Sequence, residues 1–305
     1  MRFAYAILAH AGPEQLTSLI DRLADGPNGD RIVLHLDRKS DLWRHQRERF
    51  ARHPSGKIVL VPDPVNVIWA HSSQVAAQCR VLGEALQHDF DYVHLISGAD
   101  WPVSPREKIV ADIAAHGERC PAFIDLYGEM QQERLQDWWF DDRKFSLEGF
   151  PRLSENVERA QTRLSWAFSR WWHKAGLDRG AYLGQPWVKG SGWFSLPRDI
   201  ATDICGEVGR MLERGRMRFT QCADEHAIQT VLVRRHGDRI LPDHRYIDWG
   251  AGGNHPKLLT RADRESIIAS GAWFARKFDI KVDDFFLEPN AFAFAEREPA
   301  HALQG

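Results

Sequence analysis

The sequence predicts an α/β fold built on a mostly parallel sheet, in one domain with helical insertions. Three observations predict it. The first hundred residues alternate short β-like apolar runs with helical periods, the pattern of strands joined by crossover helices. Polar groups fall just past three of those runs, at His10, Asp37 and Asp100, and open parallel sheets bind ligands outside the carboxyl ends of their strands. A chain of 305 residues with 43% hydrophobic content supplies enough apolar surface for one large core.

Residues 2–9 form the first strand. Pro13 opens a helix, because the first turn needs no N–H from that position, and Leu16, Leu19, Ile20 and Leu23 share one face. Gly26-Pro27-Asn28-Gly29 stops it. Residues 31–37 and 57–61 are the second and third strands. Ser72 is expected to cap a helix carrying Val75, Cys79, Leu82 and Leu86, and residues 92–96 are the fourth strand. The middle is less regular. Residues 131–152 read as an excursion mixing aromatic and charged groups, and residues 154–174 as an aromatic-rich helix. Gly190-Ser191-Gly192-Trp193-Phe194-Ser195-Leu196 reads as a glycine-loosened turn entering a strand. Past residue 288 the chain is small, polar and acidic, which suits a loosely ordered tail over residues 289–305.

Composition excludes several classes. With 40 basic and 42 acidic residues the net charge is −2, so no strong whole-molecule field draws nucleic acid or an anionic membrane. Cys79, Cys120, Cys205 and Cys222 show neither CxxC nor metal-ligand spacing, which suits reduced thiols in a cytoplasmic protein. The opening apolar run is too short for a signal core, and none approaches the roughly 20 residues that span a bilayer. GxGxxG, GxxxxGK[ST], HExxH and GxSxG are all absent. Twelve tryptophans are many; indoles fill cores, and their faces also suit sugars.

The sole Asp-x-Asp, Asp89-Phe90-Asp91, precedes the fourth strand, at the end opposite to ligand binding. The exit of that strand, Ser97-Gly98-Ala99-Asp100, offers a single carboxylate. A diphosphate held there needs positive charge other than a metal, and Phe274-Ala275-Arg276-Lys277-Phe278-Asp279 supplies a guanidinium fork beside an ammonium. Alone, such a pair reads more simply as a solvated surface. Cys222-Ala223-Asp224-Glu225-His226 precedes Ala227, Ile228, Val231 and Leu232 at helical spacing. Capping by acids at a helix N-terminus is the plainer reading; the functional one makes Glu225 a general base.

These segments, in order, resemble the core-2/I-branching β-1,6-N-acetylglucosaminyltransferase and peptide O-xylosyltransferase family (glycosyltransferase family 14) over most of residues 4–288. Ala4-Tyr5-Ala6-Ile7-Leu8-Ala9-His10 with Pro13-Glu14-Gln15-Leu16 matches its opening strand and turn. His35-Leu36-Asp37-Arg38-Lys39-Ser40, Val67-Ile68-Trp69-Ala70 and Leu95-Ile96-Ser97-Gly98-Ala99-Asp100-Trp101-Pro102 follow. Gly190-Ser191-Gly192-Trp193-Phe194, Ala223-Asp224-Glu225, Tyr246-Ile247-Asp248-Trp249 and the Arg276-Lys277 segment complete the series.

The resemblance implies a Rossmann-like glycosyltransferase-A fold over residues 1–288, with a nucleotide-binding half (1–105) and an acceptor and diphosphate half (106–288). It implies a UDP-sugar donor, inversion at the anomeric carbon, and no cofactor or metal. Carried over by position, Glu225 is the catalytic base and Arg276 and Lys277 bind the diphosphate. His10 and Asp37 border the nucleotide, and Asp100, Trp101 and Trp193 border the donor sugar or acceptor. Where relatives often carry Trp-Gly-Gly, this chain reads Trp69-Ala70-His71, so that corner differs. The secretory relatives are membrane-anchored and disulfide-bearing, so their compartment does not carry over.

The expected enzyme moves N-acetylglucosamine or xylose from its UDP-sugar to a glycan, lipid-linked or protein hydroxyl, in bacterial surface glycan synthesis. It is expected to be cytoplasmic, with peripheral association at the inner face of the membrane allowed. The alternative is a carbohydrate- or UDP-binding protein without transfer activity. A nucleotidyl enzyme would need a glycine-rich phosphate loop after the first strand, and a purely structural tryptophan-rich protein would not bind UDP.

Overall fold

The computed structural model describes residues 1–131, 133–140, 151–183, 186–250 and 255–292. The chain divides into two compact units, residues 1–98 with 116–243, and residues 99–115 with 244–305. These units interleave along the sequence.

The first unit holds a seven-stranded sheet. Its strands are β1 (Phe3–Ala9), β2 (Arg31–Leu36), β3 (Ile58–Leu60), β4 (Tyr92–Ser97), β6 (Ala122–Phe123), β9 (Phe194–Pro197) and β10 (Ile240–Leu241); β5 (Asp100–Pro102) belongs to the second unit, and β7 (Leu126–Gly128) and β8 (Lys189–Gly190) form a separate ribbon. The spatial order is β10-β6-β9-β4-β1-β2-β3. The pairs β1–β2, β1–β4, β2–β3 and β6–β10 are parallel; only β9 runs against its neighbours, β4 and β6. The α/β class with a mostly parallel sheet is as the sequence predicts.

Burial follows from position. β1 is flanked by β2 and β4, and Phe3, Ala4, Tyr5, Ala6 and Ile7 are all buried, the near-continuous apolar run of a strand covered on both faces. The helix Pro13–Ala24 buries Leu16, Leu19, Ile20 and Leu23. The helix Ser72–Ala85 buries Val75, Val81 and Leu82 against the sheet, and Arg198–Glu213 adds Ile200, Ile204 and Val208 to the same core. Ser72 does not cap its helix. The N-cap is His71, and it is the neighbouring Ser73 whose Oγ accepts the Ile68 N–H at 2.8 Å, tying the preceding loop to the first turn.

Strand order reverses at β1, with β2 on one side and β4 on the other. Such a reversal opens a crevice at the carboxyl ends of the strands. There the Gly98 N–H donates to the Leu8 carbonyl at 3.0 Å, and a Cβ on Gly98 would lie 3.2 Å from that of Ala9, so a side chain there would crowd the two strand exits.

The aromatic region has an interior. Trp138 meets Phe140, Phe168, Trp172 and Phe219 at ring-centroid separations of 5.2–6.2 Å. The helix Pro151–Lys174 contributes Phe168 and Trp172 to that cluster. The buried Arg179 guanidinium lies over the Trp138 ring and donates to the Leu135, Asp137 and Arg218 carbonyls and to Thr220 Oγ1. Trp138 and Phe140 are therefore built into a second apolar cluster and Leu135 into the main core; residues 132 and 141–150 of the expected excursion lie outside the described residues.

The second unit has a three-stranded sheet, β11 (Arg245–Ile247), β12 (Phe274–Arg276) and β5, with β12 central. Its core joins Trp101, Phe278, Phe285 and Phe286. Order continues past residue 288: Phe292 packs on Phe278 and Phe285, and Arg264 Nε donates to the Ala291 carbonyl at 2.5 Å. The remainder of the expected tail, residues 293–305, lies outside the described residues.

Candidate functional site

Glu225 closes the 3-10 turn Ala223–Glu225, which leads directly into the helix Ala227–His236. The turn is held from below. Cys222 adopts a left-handed conformation (φ 49°) and its N–H donates to the Ala70 carbonyl at 2.7 Å. Gln229 Nε2 donates to the carbonyls of both Ser191 and Asp224, at 2.6 and 2.9 Å. The Gly190-Ser191-Gly192 stretch is thereby pressed against the turn. A Cβ at Gly190 would fall 2.5 Å from the Asp125 carbonyl and 2.9 Å from Gln229 Cγ, so only glycine fits without rearrangement.

Two cations meet Glu225, and both go to one oxygen. Arg134 Nη1 donates to Oε2 at 2.7 Å, and Lys189 Nζ lies 3.4 Å from it. The side chain is 32% exposed, and no described residue hydrogen-bonds Oε1. The arrangement is an anchored carboxylate with one oxygen open. Lys189 also sits 5.4 Å over the Tyr127 ring. Burial pushes the Tyr127 phenol up to about 12, with Asp125, Asp243 and Glu225 adding to it.

Behind Glu225, burial and then the Glu225 charge raise the Asp224 carboxyl to about 7. Its Oδ2 accepts from Gln74 Nε2 at 3.4 Å, while Oδ1 is buried without a partner among the described residues, as are Gln78 Oε1 and Gln229 Oε1. Burial lowers the His226 pKa, which keeps that ring neutral at pH 7.

Along the sheet's exits, His10 is exposed just beyond β1. Asp37, just beyond β2, is buried and organises loops: its N–H donates to the Ala9 carbonyl at 2.9 Å, and its Oδ1 accepts from the N–H groups of Lys39 and Val67, each at 3.2 Å. The preceding His35 is pushed down to about 4 by burial, and its Nε2 accepts the Val65 N–H. Trp193 is half-buried against the main core, its N–H donating to Ser191 Oγ at 3.1 Å.

In the second unit, β12 pairs antiparallel with β5, setting Arg276 directly across from Asp100. Arg276 Nε lies 3.4 Å from Asp100 Oδ1, with the two side chains 14% and 2% exposed. Burial lowers the Arg276 pKa and Asp100 opposes it. The half-buried Lys277 has no carboxylate partner among the described residues. Trp101 pairs with Ala275 and is buried edge-on against Phe286, centroids 5.0 Å apart. Lys257 is committed to Asp263 at 2.6 Å and Asp248 at 3.9 Å.

The fold thus brings Asp100 and Arg276 together, and gives Glu225 partners that the sequence did not announce. Arg134 carries no motif signal, whereas Lys189 immediately precedes the Gly190-Ser191-Gly192 segment. No three His, Cys, Asp or Glu side chains among the described residues are grouped as metal ligands. A cavity of about 300 Å³ lined by His71, Ser72, Leu212, Met217 and Arg218 contains none of the expected site residues. The four cysteines are free thiols.

Residues 3–136 match the family model described as Branch: Core-2/I-Branching enzyme. The resemblance drawn from the motifs is borne out over this stretch, which holds those from Ala4 to Pro102; the motifs from Gly190 onward lie outside the match. The matched segment runs from β1 to the helix that carries Arg134, and it supports a glycosyltransferase. Among solved structures, the chain is similar to S. aureus TarS (15% identity, TM-score 0.30, 41% of this chain and 21% of that one). It is also similar to S. aureus TarS 1–349 in complex with UDP-GlcNAc (17%, TM-score 0.28, 41% and 33%). The chain therefore spans a fifth to a third of the TarS chains. Mouse xyloside xylosyltransferase 1, apo form, is similar at 8% identity and TM-score 0.40 over 90% of this chain and 97% of that one. None of the three superposes closely enough to bear on the chemistry.

Proposed function

We propose that the chain is an inverting glycosyltransferase that moves N-acetylglucosamine or xylose from a UDP-sugar to a hydroxyl on a glycan, lipid-linked or protein acceptor. The family match over residues 3–136 carries this reading. Glu225 serves as general base. Its anchored Oε2 fixes the side chain, and its open Oε1 takes the acceptor's proton as the hydroxyl oxygen attacks the anomeric carbon. The bond from that carbon to the UDP oxygen breaks on the opposite face. Arg276 and Lys277 are the groups that meet the leaving diphosphate, an electrostatic role in which losing one donor typically costs roughly 10²–10³-fold in rate.

The reaction proceeds without a metal. At the fourth-strand exit the single carboxylate, Asp100, already faces a guanidinium, a donor set suited to an ion pair rather than to a divalent cation. His10 and Asp37 are assigned to the nucleotide, and Trp193 to the sugar or acceptor.

Glu225→Gln tests the reading. The variant should lose transfer while UDP still raises its melting temperature, and wild-type transfer should persist in excess EDTA. Near-normal turnover by the variant would remove Glu225 from the base's role. A strict Mn²⁺ or Mg²⁺ requirement would overturn the metal-free step. UDP stabilisation without transfer from any UDP-sugar would favour the binding-protein alternative.

A further inference from the structure

We propose that the outer face of the helix Pro151–Lys174 docks on an anionic phospholipid surface. The helix has an inner side, where Ser165 and Ser169 are buried and Phe168 and Trp172 join the aromatic cluster. Its other side leaves large apolar groups in water: Leu164 is 58% exposed, Trp166 62% and Trp171 57%. Leu164 and Trp171 are two turns apart and lie on one line along the helix. Leu177, just past its end, is also exposed.

Charge complements this apolar line. From residue 159 to residue 177 the sequence carries Arg159, Arg163, Arg170 and Lys174 and no acid, in a chain whose net charge is −2. Arg163 and Arg170 share the two-turn spacing of Leu164 and Trp171 and form a basic row beside them. The acids of this helix, Glu155 and Glu158, are confined to its N-terminal third.

An exposed leucine and indoles beside a basic row is the composition of a helix that lies in a bilayer interface. Its apolar side chains enter the headgroup boundary, its indoles sit at the polar edge, and its cations meet anionic lipid. A second copy of the chain suits the face poorly, because a two-fold interface sets each patch against itself and opposes like charges. No helix among the described residues is long and apolar enough to cross a membrane, so the proposed association is peripheral.

Sedimentation of the full chain with vesicles tests this. The protein should sediment with vesicles of equal parts phosphatidylglycerol and phosphatidylcholine, remain in solution with phosphatidylcholine alone, and detach progressively as salt rises. The triple variant Arg163→Glu, Arg170→Glu, Lys174→Glu should lower partitioning by at least roughly 100-fold, about fivefold for each cation removed, with the added acids lowering it further. Leu164→Ser with Trp171→Ser should weaken binding and should reduce quenching of tryptophan fluorescence by brominated lipid, Trp166 remaining as an exposed indole. The charge variant alters exposed positions and should keep the wild-type melting temperature, whereas the serine variant should melt slightly lower, because Trp171 also touches the Phe168 and Trp172 rings. Wild-type protein that ignores anionic vesicles at low salt overturns the proposal, as do variants that bind like wild type. A concentration-dependent dimer that the serine variant abolishes, without vesicle binding, would assign the face to a second copy instead.

Discussion

Asp224→Asn should make the protein more stable at neutral and alkaline pH while changing little in acid. The carboxyl titrates near 7 when folded against 3.8 ordinarily, first because it is buried and then because Glu225 is charged beside it. Between those values the unfolded chain releases a proton that the folded chain retains, so rising pH favours unfolding until about pH 7, beyond which both states are ionised. At about 1.4 kcal/mol per pH unit, the full interval amounts to roughly 4 kcal/mol, and the part between pH 5 and pH 7 to roughly 3 kcal/mol. Asparagine removes the ionisation and keeps an oxygen for Gln74 Nε2, which now reaches Asp224 Oδ2 at 3.4 Å. Urea unfolding followed by circular dichroism at pH 5 and pH 8 measures the effect. The wild type should lose roughly 3 kcal/mol relative to the variant between the two conditions. Because the Glu225 charge adds to the upward shift of Asp224, Glu225→Gln should recover part of the same difference. Parallel pH dependences for wild type and Asp224→Asn would refute the reasoning.

Two further outcomes concern buried guanidinium groups. Asp100→Asn leaves Arg276 without its facing charge in a nearly closed setting, and breaking one side of a buried pair typically costs about 3–5 kcal/mol, to be read from the urea midpoint. Arg179→Met strands three carbonyls and the Thr220 hydroxyl, which Arg179 now satisfies. Each orphaned buried group costs about 1–3 kcal/mol, so this variant should melt well below wild type and lose near-ultraviolet dichroism from the Trp138 cluster.

The strand pattern was legible because it rests on local apolar periodicity: β1, β2, β3 and β4 fall within a residue or two of the runs that predict them. Glu225 was legible as an acid leading into a helix. Its cationic partners were not, since Arg134 reaches it across 91 residues of sequence and only the folded chain places them together. The single carboxylate at the fourth-strand exit and the Arg276-Lys277 segment were each visible, but their pairing depends on antiparallel β5–β12 registry, which two three-residue strands cannot announce. Trp101 stands beside Asp100 in a motif, yet alternation along β5 and the Phe286 ring put its indole in the core. Ser72 misled for a simpler reason. Adjacent serines offer two hydroxyls for a helix start, and the one that bonds is Ser73, to a loop N–H rather than to the helix.

In the role proposed for Glu225, an ion pair need not disqualify a base. If Arg134 and Lys189 divided the two carboxylate oxygens between them, a hydroxyl would have to displace a cation before giving up its proton. Both instead converge on Oε2. The contact that restrains rotation of the carboxylate is then separate from the atom that accepts the proton, and pre-orientation of this kind lowers the entropy lost in reaching reactive geometry. On this argument Arg134 is a positioning residue. Arg134→Ala should lower kcat on the order of tenfold or more, the scale of a misoriented catalytic group. It should leave the KM for the UDP-sugar nearly unchanged and keep the fold, because Arg134 is partly exposed and Lys189 still compensates the charge. Arg134→Lys should restore a fraction of the rate, since an ammonium supplies charge without the fork. A variant whose KM rises while kcat holds would place Arg134 on the substrate instead of on Glu225.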